Sequence, residues 1–343
     1  MIPRDALVRV RNYNNLFSMK YRMLGKSGLQ VSEIGFGAWA IGGPVDLSGI
    51  PIGWGRVDDN DSRAAIGRAL DLGINFFDSA DVYGGGHSEE LLGECLAGKD
   101  CVIATKVGNR RTETGSVKDF SESHVRTSII SSLRRLKRDS VDVYQFHNPP
   151  PEVIDTEEPF RLLETLKKEG KIRARGVSVA LPEDGIRLIR ERKVDCLQVL
   201  FNVLNQQPAT ELIPLAEQEG IGIIVRVPLA SGLLTGKFSA DHQFAADDNR
   251  RNYLSSKRLK EALERVERLK MLVRDTGYTL SQIALAFLLK VPGVSAPIPG
   301  AKTPAQVEQN ASASGVHLDD AVFSAIRHEF QSYNFFLRYK VRV

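Results

Sequence analysis

Eight short apolar runs alternate with stretches of helical period along most of the chain, and this repeated rhythm limits the fold more than any other feature. The runs fall at 32–39, 74–78, 101–106, 141–147, 174–179, 196–201, 222–227 and 294–298. Helical stretches lie at 62–72, 88–96, 121–136, 159–168, 182–190, 211–219, 256–276 with 279–290, and 303–313, and a last one at 319–332 precedes a basic tail. A helix between two strands returns the chain to a parallel neighbour rather than an antiparallel one. With no linker or composition shift between units, the pattern predicts an α/β fold of the (β/α)8 TIM-barrel type, a closed parallel sheet whose active site lies at the C-terminal strand ends. A doubly wound open sheet is the alternative. The chain has 343 residues, 42% of them hydrophobic, which suits one barrel domain over 19–343. Residues 1–18 carry Arg4, Arg9 and Arg11 but no apolar core. They read as an N-terminal extension and a candidate for disorder, either a docking segment or an artefact of start-site choice.

The net charge of +4 is small against 46 basic and 42 acidic residues. No basic run interleaves with aromatics, which argues against nucleic acid. No apolar stretch approaches the roughly 18 residues that span a bilayer. The three cysteines, Cys95, Cys101 and Cys196, are dispersed and show no CxxC pair, so a reducing, cytoplasmic compartment is expected. The histidines at 87, 124, 242, 317 and 328 show no ligand spacing, and no metal is expected.

Alternation along a strand sorts side chains into inward and outward sets. By that count Asp78, Lys106, His147, Ser178, Gln198 and Arg226 all face inward near the tips of six consecutive strands. An inert core has no use for such a ring, although a polar plug and a buried Asp78–Lys106 ion pair remain structural alternatives. Connections of 107–120 and 229–255 leave the same rim and are long enough to be lids or binding loops. Thr303-Pro304-Ala305-Gln306 has capping-box spacing, which puts a capped helix N-terminus at that rim, where an anion could sit. Thr279 and Gln282 have the same spacing.

Tyr83 adds a phenol to the ring. Its ordinary pKa is about 10, and bringing it to about 7 takes roughly 4 kcal/mol, part of which a lysine anchored by a carboxylate could supply. Tyr83 is then the general acid, Lys106 its tuner, Asp78 the lysine's anchor, and His147 the guide for a substrate oxygen.

The blocks Asn75-Phe-Phe-Asp78-Ser-Ala-Asp-Val-Tyr83-Gly84, Ala104-Thr-Lys106-Val107 and Gln145-Phe-His147 resemble the signatures of the aldo-keto reductase superfamily. The resemblance runs from about Lys20, through the block 24–37, to about Ala313, and looks most like the bacterial general aldehyde and sugar reductases. It implies an NAD(P)H-dependent carbonyl oxidoreductase with Asp78, Tyr83, Lys106 and His147 as catalytic tetrad. It also implies cofactor contacts from Gly37, from Ser178 and Gln198 to the nicotinamide carboxamide, and from Arg226, where many members carry a stacking aromatic. The stretch Pro228-Leu229-Ala230-Ser231-Gly232, ending at Lys237, resembles the pyrophosphate-wrapping loop. Gly300, Lys302, Gln306 and Asn310 resemble the adenosine end. Lys302 could meet a 2′-phosphate at the capped helix N-terminus, so NADPH is the expected cofactor; Gln306 stands where an arginine often assists, which weakens that preference and leaves NADH possible. Val179 stands where the family often has Asn.

Trp39 and Trp54 are candidate walls of the substrate pocket, and Arg110 a candidate grip for an anionic substrate. Gly35-Phe36-Gly37-Ala38-Trp39-Ala40 fits a loose dinucleotide fingerprint, but Gly42-Gly43-Pro44 prevents a helix from following. The stretch from Gly232 to Lys237 lacks P-loop spacing, and Phe238 stands where Ser or Thr would bind magnesium, so ATP is excluded. Two rival functions remain, a non-catalytic nicotinamide-binding regulatory subunit on the same scaffold and a Schiff-base aldolase using Lys106. The partner is a small carbonyl compound, with no nucleic acid and no membrane expected.

Overall fold

The computed structural model describes residues 18–47, 50–112 and 115–338, so residues 1–17 of the expected extension and the tail beyond 338 lie outside the described residues. The eight runs form eight strands in sequential parallel order: β1 (Phe36–Gly37), β2 (Phe76–Asp78), β3 (Val102–Val107), β4 (Val141–His147), β5 (Ile172–Ser178), β6 (Cys196–Leu200), β7 (Gly222–Arg226) and β8 (Val294–Pro297). Backbone bonds from Gly35 N to Pro297 O (2.9 Å) and Gly37 N to Pro299 O (3.1 Å) join β1 to β8 and close the barrel.

β1 is shorter than the run at 32–39 because the chain has two tasks there. Gln30–Ser32 pairs antiparallel with Tyr21–Met23, and that hairpin forms the barrel floor. Lys26 N donates to Gly220 O (2.7 Å), while Leu24, Leu29 and Val31 plug the interior below Phe76, Val102, Val143, Ala174 and Ile224. Burying both faces of the sheet requires near-continuous apolar strands, as observed. Outward residues such as Ile103, Phe146 and Val177 pack under the helices in a second, larger core.

Gly37 is a seam residue. A methyl added there would lie 2.5 Å from Ile298 O, inside contact distance, so β8 can approach only a glycine. Gly37, expected to contact the cofactor, thus also has a structural role. Gly37→Ala is expected to cost about 1–3 kcal/mol, the usual penalty of overpacking a rigid interior. Urea unfolding checks it, and an unchanged midpoint would contradict the seam.

The helices follow their start signals. Thr279 and Gln282 form both halves of a capping box before Leu280–Leu289. At Pro304–Ala311 only half of one forms: Thr303 accepts from Gln306 N, but Gln306 Oε1 accepts Lys302 N (2.7 Å) instead of closing the box. Both long rim connections carry structure. The first holds a hairpin, Asn109–Thr112 with Gly115–Lys118; the second holds a tight turn, Ala230–Thr235, and a short helix, Arg250–Tyr253. Another hairpin, Val45–Leu47 with Ile50–Ile52, leaves β1 at the same rim.

Candidate active site

The parity reading of the strand tips holds in space. Lys106, fully buried at the end of β3, directs all three ammonium protons at oxygens: Asp78 Oδ1 at 2.5 Å, Ser79 O at 2.7 Å and Tyr83 Oη at 3.1 Å. Burial opposes its charge, but Asp78 and then Tyr83 outweigh it, so the lysine pKa lies above its ordinary value. Asp78 Oδ2 accepts from Gln145 Nε2 (3.0 Å) and Gln198 Nε2 (2.7 Å). A carboxylate at 1% exposure that accepts three donors is well satisfied as an anion. The ion pair and the two amides thus form one layer across the barrel, immediately beneath the phenol.

Tyr83 departs from expectation in charge, not in place. Its ring lies at the mouth, edge-on to Trp39 at 4.7 Å and 5.9 Å from the His147 ring. Burial raises the phenol pKa above 10; Lys106 lowers it, but Asp78 beside Lys106 cancels part of that effect. Burial is the largest of these effects, so the net direction for the phenol is upward. His147 is neutral: burial first, then Lys106, Lys118 and Arg226, hold its pKa well below 6.5. Its buried Nδ1 has no hydrogen-bond partner among the described residues.

The cofactor residues implied by resemblance divide into three groups. Ser178 sits at the β5 tip and its hydroxyl donates to Asn148 Oδ1 (3.3 Å); Asn148, in a left-handed conformation, went unnoticed in the sequence. Gln198 commits its amide nitrogen to Asp78 and to Gln145 Oε1 (3.3 Å), leaving its Oε1 to receive a carboxamide N–H. Arg226 reaches Val179 O (3.3 Å) at the same rim, and burial, partly offset by Tyr83, brings its pKa down to about 10.

After β7, Pro228 and Leu229 lead into Ala230, Ser231 and Gly232, which are consecutively left-handed (φ +49°, +57° and +93°). The Ser231 hydroxyl accepts from Tyr253 Oη (3.0 Å) and its carbonyl from Arg250 (3.3 Å), so this turn is fixed from both sides. Lys237 and Lys302 both lie close enough to Arg250 for its charge to depress them. Lys302 falls below the ordinary lysine value through burial first and then Arg250, and Lys237 does so for the same two reasons. Asp248 pairs with Arg250 at 2.6 Å. A cluster of three cations is what an anionic pyrophosphate would neutralise.

Trp54 and Arg110, expected at the substrate pocket, make other contacts. Trp54 packs among residues that the resemblance assigns to the cofactor. It bridges to Asp248, lies 5.2 Å from the Arg250 guanidinium, and would touch a methyl on Gly300 at 3.1 Å. Lys302 Nζ donates to Trp54 O (2.5 Å) and Arg56 O (3.1 Å), tying this segment down as a strap that joins the β1 and β7 connections. Asn310 completes that end by donating to Gly300 O (3.4 Å). Arg110 points away from the mouth to Asp119 (2.8 Å) because the hairpin register puts Arg111 and Lys118 on the opposite face. Lys118 Nζ donates to His147 O (2.7 Å). Trp39 is half-buried, edge-on to Tyr83.

Fold and site together define a parallel (β/α)8 barrel whose mouth carries a buried Asp78–Lys106–Tyr83 layer beside a cluster of cations. The profile of the aldo/keto reductase family matches residues 33–328, and the chain belongs to that family. It is similar to aldo-keto reductase YhdN of Bacillus subtilis (31% identity, 87% of this chain and 89% of the relative). It is also similar to the NADH-specific methylglyoxal reductase of Escherichia coli (30%, 90% and 98%) and to a probable voltage-gated potassium channel subunit beta of Arabidopsis thaliana (31%, 87% and 92%). Among solved structures, the holo form of aldo-keto reductase AKR11C1 from Bacillus halodurans superposes with a TM-score of 0.75 at 28% identity, covering 90% of this chain and 96% of that one. The protein is an NAD(P)H-dependent oxidoreductase.

Proposed function

We propose that the enzyme reduces a small aldehyde or sugar carbonyl to the alcohol, using NADPH, with Tyr83 as general acid. The observation that carries this reading is the single hydrogen-bonded layer in which Lys106, anchored by Asp78, holds the Tyr83 hydroxyl at 3.1 Å in the barrel mouth. The residues fit a nicotinamide dinucleotide: Ser178, Gln198 and Arg226 at the β5–β7 tips, and Lys237, Arg250, Lys302 and the turn at 230–232 farther out. When bound, the reduced cofactor supplies hydride to the carbonyl carbon.

Tyr83 donates its proton to the carbonyl oxygen as that oxygen gains charge, which completes the alcohol. Lys106 then stabilises the phenolate through the bond already in place, and solvent returns the proton. Neutral His147 can hold the carbonyl oxygen without competing as an acid. NADPH is the proposed form because three cations flank the strap, although Lys302 already serves two carbonyls and Gln306 brings no charge. Equilibrium titration with NADPH and NADH decides between them. The three cysteines are free thiols, in keeping with the cytoplasmic placement proposed here.

The pH dependence follows from two protonation states. Tyr83 must be protonated and its pKa lies above 10, so activity falls only above about pH 10. His147 must be neutral and its pKa lies well below 6.5, so activity falls only on the acid side of that value. Neither Tyr83 nor His147 is therefore expected to put a limb on the kcat/KM profile between about pH 6.5 and about 10; Asp81, raised to about 8 by burial and then Glu89, titrates inside that window, and a bell centred near 7 would contradict the assignment.

The plant channel-subunit relative favours a second reading, a regulatory subunit that binds nicotinamide without turnover. Tight cofactor binding with no NADPH oxidation on a panel of aldehydes and sugars would support it. An aldolase role for Lys106 fits poorly, since a Schiff-base amine must spend time neutral and this one is fully hydrogen-bonded as a cation.

A further inference from the structure

Cations surround the mouth in which Tyr83 and His147 meet the substrate. The hairpin after β3 pairs Asn109 with Lys118 and Arg111 with Ser116, so Lys118 and Arg111 share the face opposite Arg110. Lys118 is fastened to the tip of β4 through the His147 carbonyl at 2.7 Å. Arg111 Nη1 lies 3.6 Å from where a methyl on Gly85 would sit, beside the turn that carries Tyr83. Arg226 enters from β7, across the barrel, and its charge acts on both Tyr83 and His147.

We propose that the substrate is a carbonyl compound bearing an anionic group, a carboxylate or phosphate, which Lys118 and Arg111 receive at the rim while Arg226 adds to the field from β7. This rests on the reductase reading and names its substrate class. A protonated phenol and a neutral imidazole at the carbonyl carry no charge of their own to attract an anion, so selectivity for one must come from the rim. Charge-assisted hydrogen bonds to guanidinium and ammonium are about twice as strong as neutral ones, and the guanidinium fork matches carboxylate and phosphate. Trp39 offers an apolar wall for the carbons between the two ends.

The test compares matched substrates with the full-length enzyme and NADPH: succinic semialdehyde against butanal, and glyceraldehyde 3-phosphate against glyceraldehyde. The anionic partner is expected to have a kcat/KM about 10-fold to 100-fold higher at low salt, with the advantage shrinking as ionic strength rises. Whichever pair shows the larger ratio identifies the anion as carboxylate or phosphate. Lys118→Met and Arg111→Met are each expected to lower the anionic-to-neutral ratio about tenfold, a readout that a general loss of structure would not move. A ratio near one in the wild type, or one that neither variant changes, while neutral aldehydes are reduced, would overturn the anion site and leave the reductase reading standing. Absence of turnover on all four substrates would overturn the reductase reading instead. The anion site is then judged by calorimetric binding of 4-hydroxybutyrate against 1-butanol, where equal or absent binding of both overturns it.

Discussion

Tyr83→Phe is expected to lower kcat by about 10²–10⁴-fold, the usual contribution of a positioned general acid, while cofactor affinity stays within about twofold. The variant removes one oxygen. The ring keeps its edge contact with Trp39, and Lys106 keeps Asp78 and the Ser79 carbonyl, so the layer beneath is undisturbed. Loss of rate without loss of fold is therefore the signature, read by steady-state kinetics beside a thermal melt. Undiminished turnover would remove Tyr83 from the chemistry.

Lys106→Met is expected to affect both activity and stability. It deletes the hydrogen bond that orients the phenol and leaves the Asp78 carboxylate, 1% exposed, without its counter-charge. Breaking one side of a buried ion pair typically costs about 3–5 kcal/mol. Gln145 and Gln198 still donate to Asp78, which places the expected loss at the lower end of that range. The double variant Lys106→Met/Asp78→Asn should regain part of the stability and none of the activity. Denaturant unfolding of the three proteins checks this, and equal midpoints for the single and double variants would contradict the ion-pair account.

The barrel was legible because its determinants are local. Each strand carries its own apolar run, and parity alone put Asp78, Lys106, His147, Ser178, Gln198 and Arg226 at the rim. What stayed hidden depends on contacts between distant segments. Gly37 faces β8, 260 residues away in the chain, and nothing near it in sequence marks it as a seam. Trp54 belongs with Asp248 and Gly300 only because a strap joins two connections. Arg110 and Arg111 are neighbours in sequence but lie on opposite faces of a hairpin whose register no local signal announced; its alternation, once known, assigns them at once. The direction of the Tyr83 shift also depends on the fold, because burial of the phenol is the largest effect and outweighs the Lys106 charge.

The proposed reaction is hydride transfer to a carbonyl with Tyr83 supplying the proton. Deuterium tracing tests it most directly, with NADPH labelled at C4 of the nicotinamide on one face and then on the other, and the product alcohol analysed by mass spectrometry. One deuterium per molecule at the former carbonyl carbon is expected from one of the two labelled cofactors, with its rate of appearance collapsing in Tyr83→Phe. Tight cofactor binding with no deuterium in any alcohol from either label would contradict the account.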